Sequence, residues 1–282
     1  MKLIKPSFEI WQQPSGLEGV YKQIERVGRV CYKSEDKITE DSAKPFVDRM
    51  IKSGHGAMLE HGTVYLKVPY GKMDDNGEFE NEGIMYSYHN NHYSIVKSGN
   101  DDNWYITTNY RVLVENDWLN DLMYRCDEPT IFHEKRVCVR FICDRGVSHE
   151  FVRHRVFSFA QESTRYCNYS KDKFNNEITF IYPYCGYIKT DMYNGVDKFD
   201  GDYFEHSLRE AEFYYFKLLE LGWKPQQARQ VLPNALKTEL VMTGFASDWD
   251  HFFDLRCATS AHPDARKLAL ELKELVYGKQ EE

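Results

Sequence analysis

The sequence predicts an α+β fold, a modest antiparallel sheet flanked by helices with a mostly helical C-terminal third. Three observations lead there. Apolar residues recur at helical spacing near both ends of the chain. Runs rich in β-branched and aromatic residues stand at 62–68 and 137–143. No strand and helix patterns alternate in the rhythm of a parallel sheet.

The elements follow in order. Leu17, Val20, Tyr21, Ile24, Val27 and Val30 predict an amphipathic helix over 17–31. A second helix is expected from Ser42 to Lys52, with Pro45 in its first turn and Gly54 at its end. The strand at 62–68 is stopped by Pro69. Residues 71–83 are rich in Asp, Asn, Gly and Glu and suit a mobile loop or hairpin tip. A strand is expected from Tyr105, and helical spacing runs from Arg111 to Tyr124 through Leu113, Val114, Trp118, Leu119 and Leu122. Residues 1–282 are read as a single domain, with about 70–133 inserted between two paired strands, the second being 137–143. Beyond these, Ser207 to Leu221 suits a helix ended by Gly222, and Pro225 opens a short helix that Pro233 stops. A further helix is expected through Leu236, Leu240 and Phe245 toward Asp248, and a last one from Asp264 to Tyr277.

The net charge is −8, with a pI near 5.7. That balance argues against a general nucleic-acid binder. Local sign matters more. From Lys135 to Tyr166, seven basic residues face three acidic ones, so that window carries +4 and the rest −12. A confined positive island in an acidic chain suits a small anionic ligand. The 20 Tyr and 17 Phe suit stacking on flat ligands, and equally subunit interfaces. Seven scattered cysteines without a Cys-x-x-Cys pair, no signal peptide and no membrane span predict free thiols and a cytoplasmic protein.

Neither a P-loop, a Gly-x-Gly-x-x-Gly turn nor a Gly-x-Ser-x-Gly elbow occurs. His89 with His92, and His55 with His61, lack third and fourth ligands at metal spacing, so no metal is expected. The positive signal is Arg153-His154-Arg155, then Ser158, Gln161, Glu162, Ser163, Thr164, Arg165 and Tyr166. Two forked guanidinium groups around an imidazole suit phosphate oxygens and a flat ring. If 149–154 is helical, Glu150 and Arg153 share a face and orient each other.

Arg-His-Arg, seven residues, then Ser is the signature of the flavin-dependent thymidylate synthases, and this sequence resembles that family. Three further blocks carry the resemblance: His55-Gly-Ala-Met-Leu-Glu60-His61, Ala228-Arg229-Gln-Val-Leu-Pro233, and Leu255-Arg256 followed by Ala261-His262-Pro-Asp. Together they cover the chain outside 70–133. The resemblance implies reductive methylation of dUMP to dTMP, with 5,10-methylenetetrahydrofolate giving the carbon and NADPH-reduced FAD the hydride. It implies a homotetramer with shared active sites. Carried over, Glu150, Arg153, Gln161, Ser163, Thr164, Arg165, Arg229 and Arg256 would bind dUMP, and Arg256 would be catalytic, favouring the N3-deprotonated uracil. His55, Glu60, Arg153, His154, Arg155, Gln161 and His251 would bind FAD. Glu150 stands where some members have Gln, and Ala160 lacks a polar side chain found in relatives. Phe245, Ser247 and His251 replace the family's C-terminal flavin contacts, and Cys31 stands where a Ser is common.

Three rival readings compete with this one. A flavin-free thymidylate synthase needs a nucleophilic cysteine in a Pro-Cys-His setting, which Pro183-Tyr184-Cys185-Gly186 does not supply. An FAD enzyme with another one-carbon outcome, such as hydroxymethylation of another pyrimidine nucleotide, keeps the same signature. A nucleic-acid-binding module would use the Arg island, against the acidic balance and the Glu residues within it.

Overall fold

The computed structural model describes residues 1–171, 174–184, 190–193 and 196–277, with 190–193 and 196–200 as backbone only. Cys185 and Gly186 lie outside the described residues. In chain order the elements are β1 (Lys2–Ile4), β2 (Ser7–Trp11), α1 (Gly16–Tyr32), α2 (Ala43–Lys52), β3 (Thr63–Pro69), α3 (Glu82–His89), β4 (Ile95–Ser98), β5 (Asn103–Asn109), α4 (Tyr110–Glu115), β6 (Arg125–Cys126), β7 (Arg136–Asp144) and α5 (Arg145–Phe151). Then come β8 (Ser158–Gln161), β9 (Thr179–Ile181), β10 (Thr190–Tyr193), β11 (Val196–Phe199), α6 (Asp200–Glu220), α7 (Pro225–Ala228), β12 (Lys237–Phe245), α8 (Ala246–Arg256) and α9 (Pro263–Tyr277). Two four-stranded antiparallel sheets, ordered β2-β7-β12-β8 and β4-β5-β3-β6, make this the expected α+β class.

Helix α1 buries Val20, Tyr21, Ile24, Val27 and Val30 and ends at Lys33, whose φ of 46° lets its N–H reach back to the carbonyls of Arg29 and Val30. It packs closely on α2 at Gly28, where an added Cβ would stand 2.5 Å from the Phe46 ring. Helices α1, α2 and α9 match their predicted spans within two residues. Among the described residues, no helix is long and apolar enough to cross a membrane.

Four expectations are corrected. Residues 237–245 form a strand, not a helix. Every residue from Thr238 to Thr243 is buried, so both faces are covered and no polar stripe betrays a period. The four-residue interval from Leu236 to Leu240 satisfies helix and strand periods alike. Second, β3 does not pair with β7. It lies between β5 and β6, while β7 lies between β2 and β12. The partner of β3 therefore comes from inside the 70–133 segment, and Val64, Leu66, Trp104 and Ile106 share one core with α1 and α2. Third, the helical spacing of 111–124 is broken after Glu115 by Asp117, with φ 60°, and resumes as a 3-10 turn over Leu119–Tyr124. Fourth, the helical condition set for 149–154 holds only as far as Phe151, so His154 lies beyond helix α5. The 71–83 segment does form a hairpin tip, bridged at Met73 and Phe79 and turning at Gly77 with φ 84°, though Gly83 belongs to α3.

Candidate functional site

Helix α5 springs directly from β7, and its start is fixed by Asp144, whose carboxylate accepts the Val147 N–H at 2.8 Å. Helix α8 springs from the neighbouring strand β12. The two helices meet over an aromatic layer in which the Phe151 and Phe252 rings lie 5.2 Å apart and Phe141 and Trp249 are fully buried. That layer carries Arg256, at the end of α8, to the turn after α5. Its Nε donates to His154 Nε2 at 2.8 Å, Nη1 to the Glu150 carboxylate at 2.8 Å, and Nη2 to the Glu150 carbonyl at 2.5 Å. Arg153 is 68% exposed and reaches the same carboxylate at 3.3 Å. The i,i+3 pairing of Glu150 and Arg153 is thus present, although Arg153 lies past the helix.

His154 accepts a hydrogen bond at Nε2, so its proton belongs on Nδ1 in the neutral ring. Burial, then the adjacent Arg256 charge and His251, bring its pKa down to about 4. The exposed His251 ring lies 6.2 Å from it, centroid to centroid. The site therefore presents a neutral imidazole beside a guanidinium paired with a carboxylate.

The rest of the motif is spread over β8 and the loop after it. Gln161 donates to Ser148 Oγ at 2.9 Å and Thr238 Oγ1 at 3.2 Å, which ties β8 to α5 and β12. Ser163 is held by its N–H on the Cys31 carbonyl at 3.0 Å, and its hydroxyl accepts the Arg165 N–H at 3.3 Å. Buried Thr164 accepts from Arg229 Nη1 at 2.7 Å, so the Ala-Arg-x-x-Leu-Pro block meets the Arg-His-Arg block through the chain's fold. Arg155 and Arg165 are exposed and make no ion pair among the described residues. Arg165 lies over the Tyr166 ring at 5.7 Å, and Tyr166 packs against Tyr32 at 5.2 Å.

The remaining two predicted residues lie apart. His55 is exposed on a cavity of about 790 Å³ with Arg29, Tyr32, Lys33, Arg49 and Lys171. The Glu60 carboxylate accepts from Arg111 Nη1 at 2.5 Å and its carbonyl from Arg136 Nη1 at 2.9 Å. Neither residue is joined by a hydrogen bond or ion pair to 150–165 among the described residues.

Sequence reasoning missed Ser148 and Thr238, the anchors of Gln161, and a buried charge cluster beneath β8. There Lys237 bridges Glu162 and Glu239 at 2.7 Å each, while Lys33 and Arg140 reach Glu239 at 2.7 and 2.6 Å. Burial alone would raise the Glu239 carboxyl, but Lys237 and Lys33 override it and bring it down to about 2. Reading 237–245 as a strand would have exposed the signal, because Lys237 and Glu239 then share a face.

A segment whose exposed Arg155 and Arg165 carry no ion pair among the described residues, joined through His154 to the helix-borne Arg256, defines a site class for anionic, planar ligands on an α+β scaffold. The chain belongs to the thymidylate synthase complementing protein family, whose model matches residues 84–279. It is similar to the flavin-dependent thymidylate synthase of Geobacter sulfurreducens, with 34% identity over 135 residues, 48% of this chain and 53% of that protein. It is also similar to that of Sulfurisphaera tokodaii, with 34% identity over 132 residues, 47% of this chain and 46% of that protein. The chain thus spans about half the length of the curated relatives it matches. Among solved structures it resembles a UMP/dUMP methylase from Streptomyces cacaoi bound with 5-Br UMP, with TM-score 0.44 and 15% identity, covering 98% of this chain and 91% of that one.

Proposed function

We propose that the protein is a flavin-dependent thymidylate synthase that converts dUMP to dTMP, with 5,10-methylenetetrahydrofolate as carbon donor and NADPH as reductant. Membership of the family supports it, as do relatives that carry this name. The observation that carries it is the meeting of Arg256 with Glu150 and His154, more than 100 residues away in sequence.

FAD fits the residues present, since Arg155 is exposed and unpaired among the described residues and Arg153 is mostly exposed beside the neutral His154. Arg153, His154, Arg155, Gln161 and His251 would hold it, with His55 and Glu60 on its far side. Bound and reduced, FAD supplies the hydride. Arg165, Arg229, Ser163 and Thr164 hold the dUMP phosphate and sugar, where forked donors suit a dianion. Arg256 is the catalytic residue. Its permanent charge stabilises the uracil deprotonated at N3 and so raises electron density at C5. Glu150 and Gln161 orient the pyrimidine, and Arg153, already 3.3 Å from the Glu150 carboxylate, takes up that charge when substrate engages Arg256. A homotetramer with shared sites brings the exposed His55 and Arg155 against a second subunit, and a cytoplasmic location suits its substrates.

The test is an absorbance spectrum followed by anaerobic turnover of C5-tritiated dUMP with methylenetetrahydrofolate and NADPH. A flavin band and tritium release with dTMP formed are expected. A protein that cannot be loaded with FAD overturns the proposal, and a hydroxymethylated product replaces it with the alternative one-carbon chemistry.

A further inference from the structure

On the face of the β7–β12 sheet opposite Arg256 lies a second polar cavity of about 280 Å³, between α1, the start of β3 and the start of β7. Gln23, His61, Arg136, Cys138 and Thr243 line it, and Gln12, Glu128 and Lys135 stand at its exposed mouth. Gln23 and His61 are each 1% exposed. Both amide atoms of Gln23, His61 Nε2 and Arg136 Nε are buried without a hydrogen bond of normal geometry, Gln23 having only the weak Cys138 thiol and His61 only a loose approach to the Phe159 backbone. Such groups are rare in a folded chain, and four on one cavity are rarer still.

The neighbours show what ordinary satisfaction looks like here. Gln13, on the same wall, exchanges both amide bonds with the Thr63 backbone at 2.8 and 2.9 Å. His61 Nδ1 is likewise paired, with Thr243 Oγ1 at 2.8 Å. The Arg136 guanidinium gives its other nitrogens to neutral oxygens, those of the Glu60 backbone, Thr63 and Ser158. It has no carboxylate partner among the described residues. A largely enclosed positive charge with no carboxylate in contact is costly, and Glu60 and Asp248 offset it only from beyond ion-pair distance. Water would satisfy the orphaned hydrogen bonds and leave the charge without a contacting counter-charge. A cation would meet Arg136 directly. An oxyanion satisfies both needs, accepting from Arg136 Nε and the Gln23 amide. At the mouth, Lys135 favours an anion and Glu128 opposes one.

We propose that this cavity is a binding site for a small oxyanion, of carboxylate or phosphate size, separate from the site built on residues 150–165. The inference stands on this cavity alone and does not rest on the flavin and nucleotide reading.

The experiment is isothermal titration of the full-length protein with acetate, inorganic phosphate and acetamide, each at fixed ionic strength in a chloride background. Acetate or phosphate should bind saturably, acetamide at least tenfold more weakly, and Gln23→Met should lose at least tenfold in affinity for the anion. The planar carboxylate and the tetrahedral phosphate are told apart by which titrates tighter. Should Gln23→Met fail to fold, Lys135→Ala at the exposed mouth should weaken the anion about threefold. Absence of saturable binding, equal binding of acetamide, or a soaked crystal with waters alone on Gln23 and Arg136 overturns the proposal.

Discussion

Arg256 donates three hydrogen bonds, and all three end within the 150–154 stretch. A guanidinium so held is pre-aimed, so little reorganisation is needed when a developing anion takes the carboxylate's place. Arg256→Ala is therefore expected to lower kcat by about 10²–10³-fold, the usual cost of one anion-stabilising donor, while flavin absorbance is retained. Arg155→Ala should do the reverse and release flavin on dilution. Equal loss of flavin in both variants would sink the division of roles. His154 and His61 make a second prediction. Their pKa values, about 4 and about 3, lie below the ordinary 6.5. The unfolded chain then binds more protons than the folded one between those values and 6.5, so stability falls as pH drops through that window. Each tenfold difference in proton affinity between the folded and unfolded chain is worth about 1.4 kcal/mol, so the loss reaches a few kcal/mol by pH 4. Urea midpoints at pH 7.5, 6.0 and 5.0 should decline in that order, and a flat profile would contradict the burial of these rings. The arginines and Ser163 were legible because their spacing is local. Ser148 and Thr238 were not, because they matter only through the Gln161 amide, which the fold brings to them from another element.

At the scale of elements, β12 organises the site. It pairs with β7 along nine residues and with β8 along four, and it delivers Arg256 through α8. Its one buried carboxylate, Glu239, sits among Lys33, Arg140 and Lys237. Glu239→Gln would leave those cations partly uncompensated, which is expected to cost about 3–5 kcal/mol. Chemical denaturation measures it, and a change under 1 kcal/mol would show that solvent screens the cluster. Because the folded Glu239 carboxyl lies near 2 against an ordinary 4.5, its contribution is present above pH 4.5 and fades as pH falls toward 2. Helices α1, α2 and α9 were legible in outline because one face of each is polar. Strand β12 was not, because a strand covered on both faces shows a continuous run that fits either period.

Across the molecule, the described cysteines are all free thiols. Burial pushes Cys31 and Cys138 up to about 11 and Cys143 higher still, so none of these three is a thiolate at neutral pH. Single Cys→Ala variants at 31, 138 and 143 should keep more than half of the wild-type turnover. Loss of turnover in one with the fold intact would point to a covalent nucleophile and against the proposed chemistry. Sedimentation should give the mass of four chains of 33.4 kDa, and a monomer with full turnover would refute shared sites. The 70–133 segment shows the same limit at larger scale. Its hairpin tip was legible from Gly and Asp, but its pairing with β3 depends on a strand more than 30 residues away.

By itself the sequence determined the α+β class, the positive island and the order of the four blocks, because each is a property of composition or near-neighbour spacing. Which strands pair, where the 149–154 helix stops and how Arg256 reaches Glu150 were decided only by the tertiary structure. Those outcomes depend on which surfaces are covered and which charges are brought together, and both are set by segments far apart along the chain.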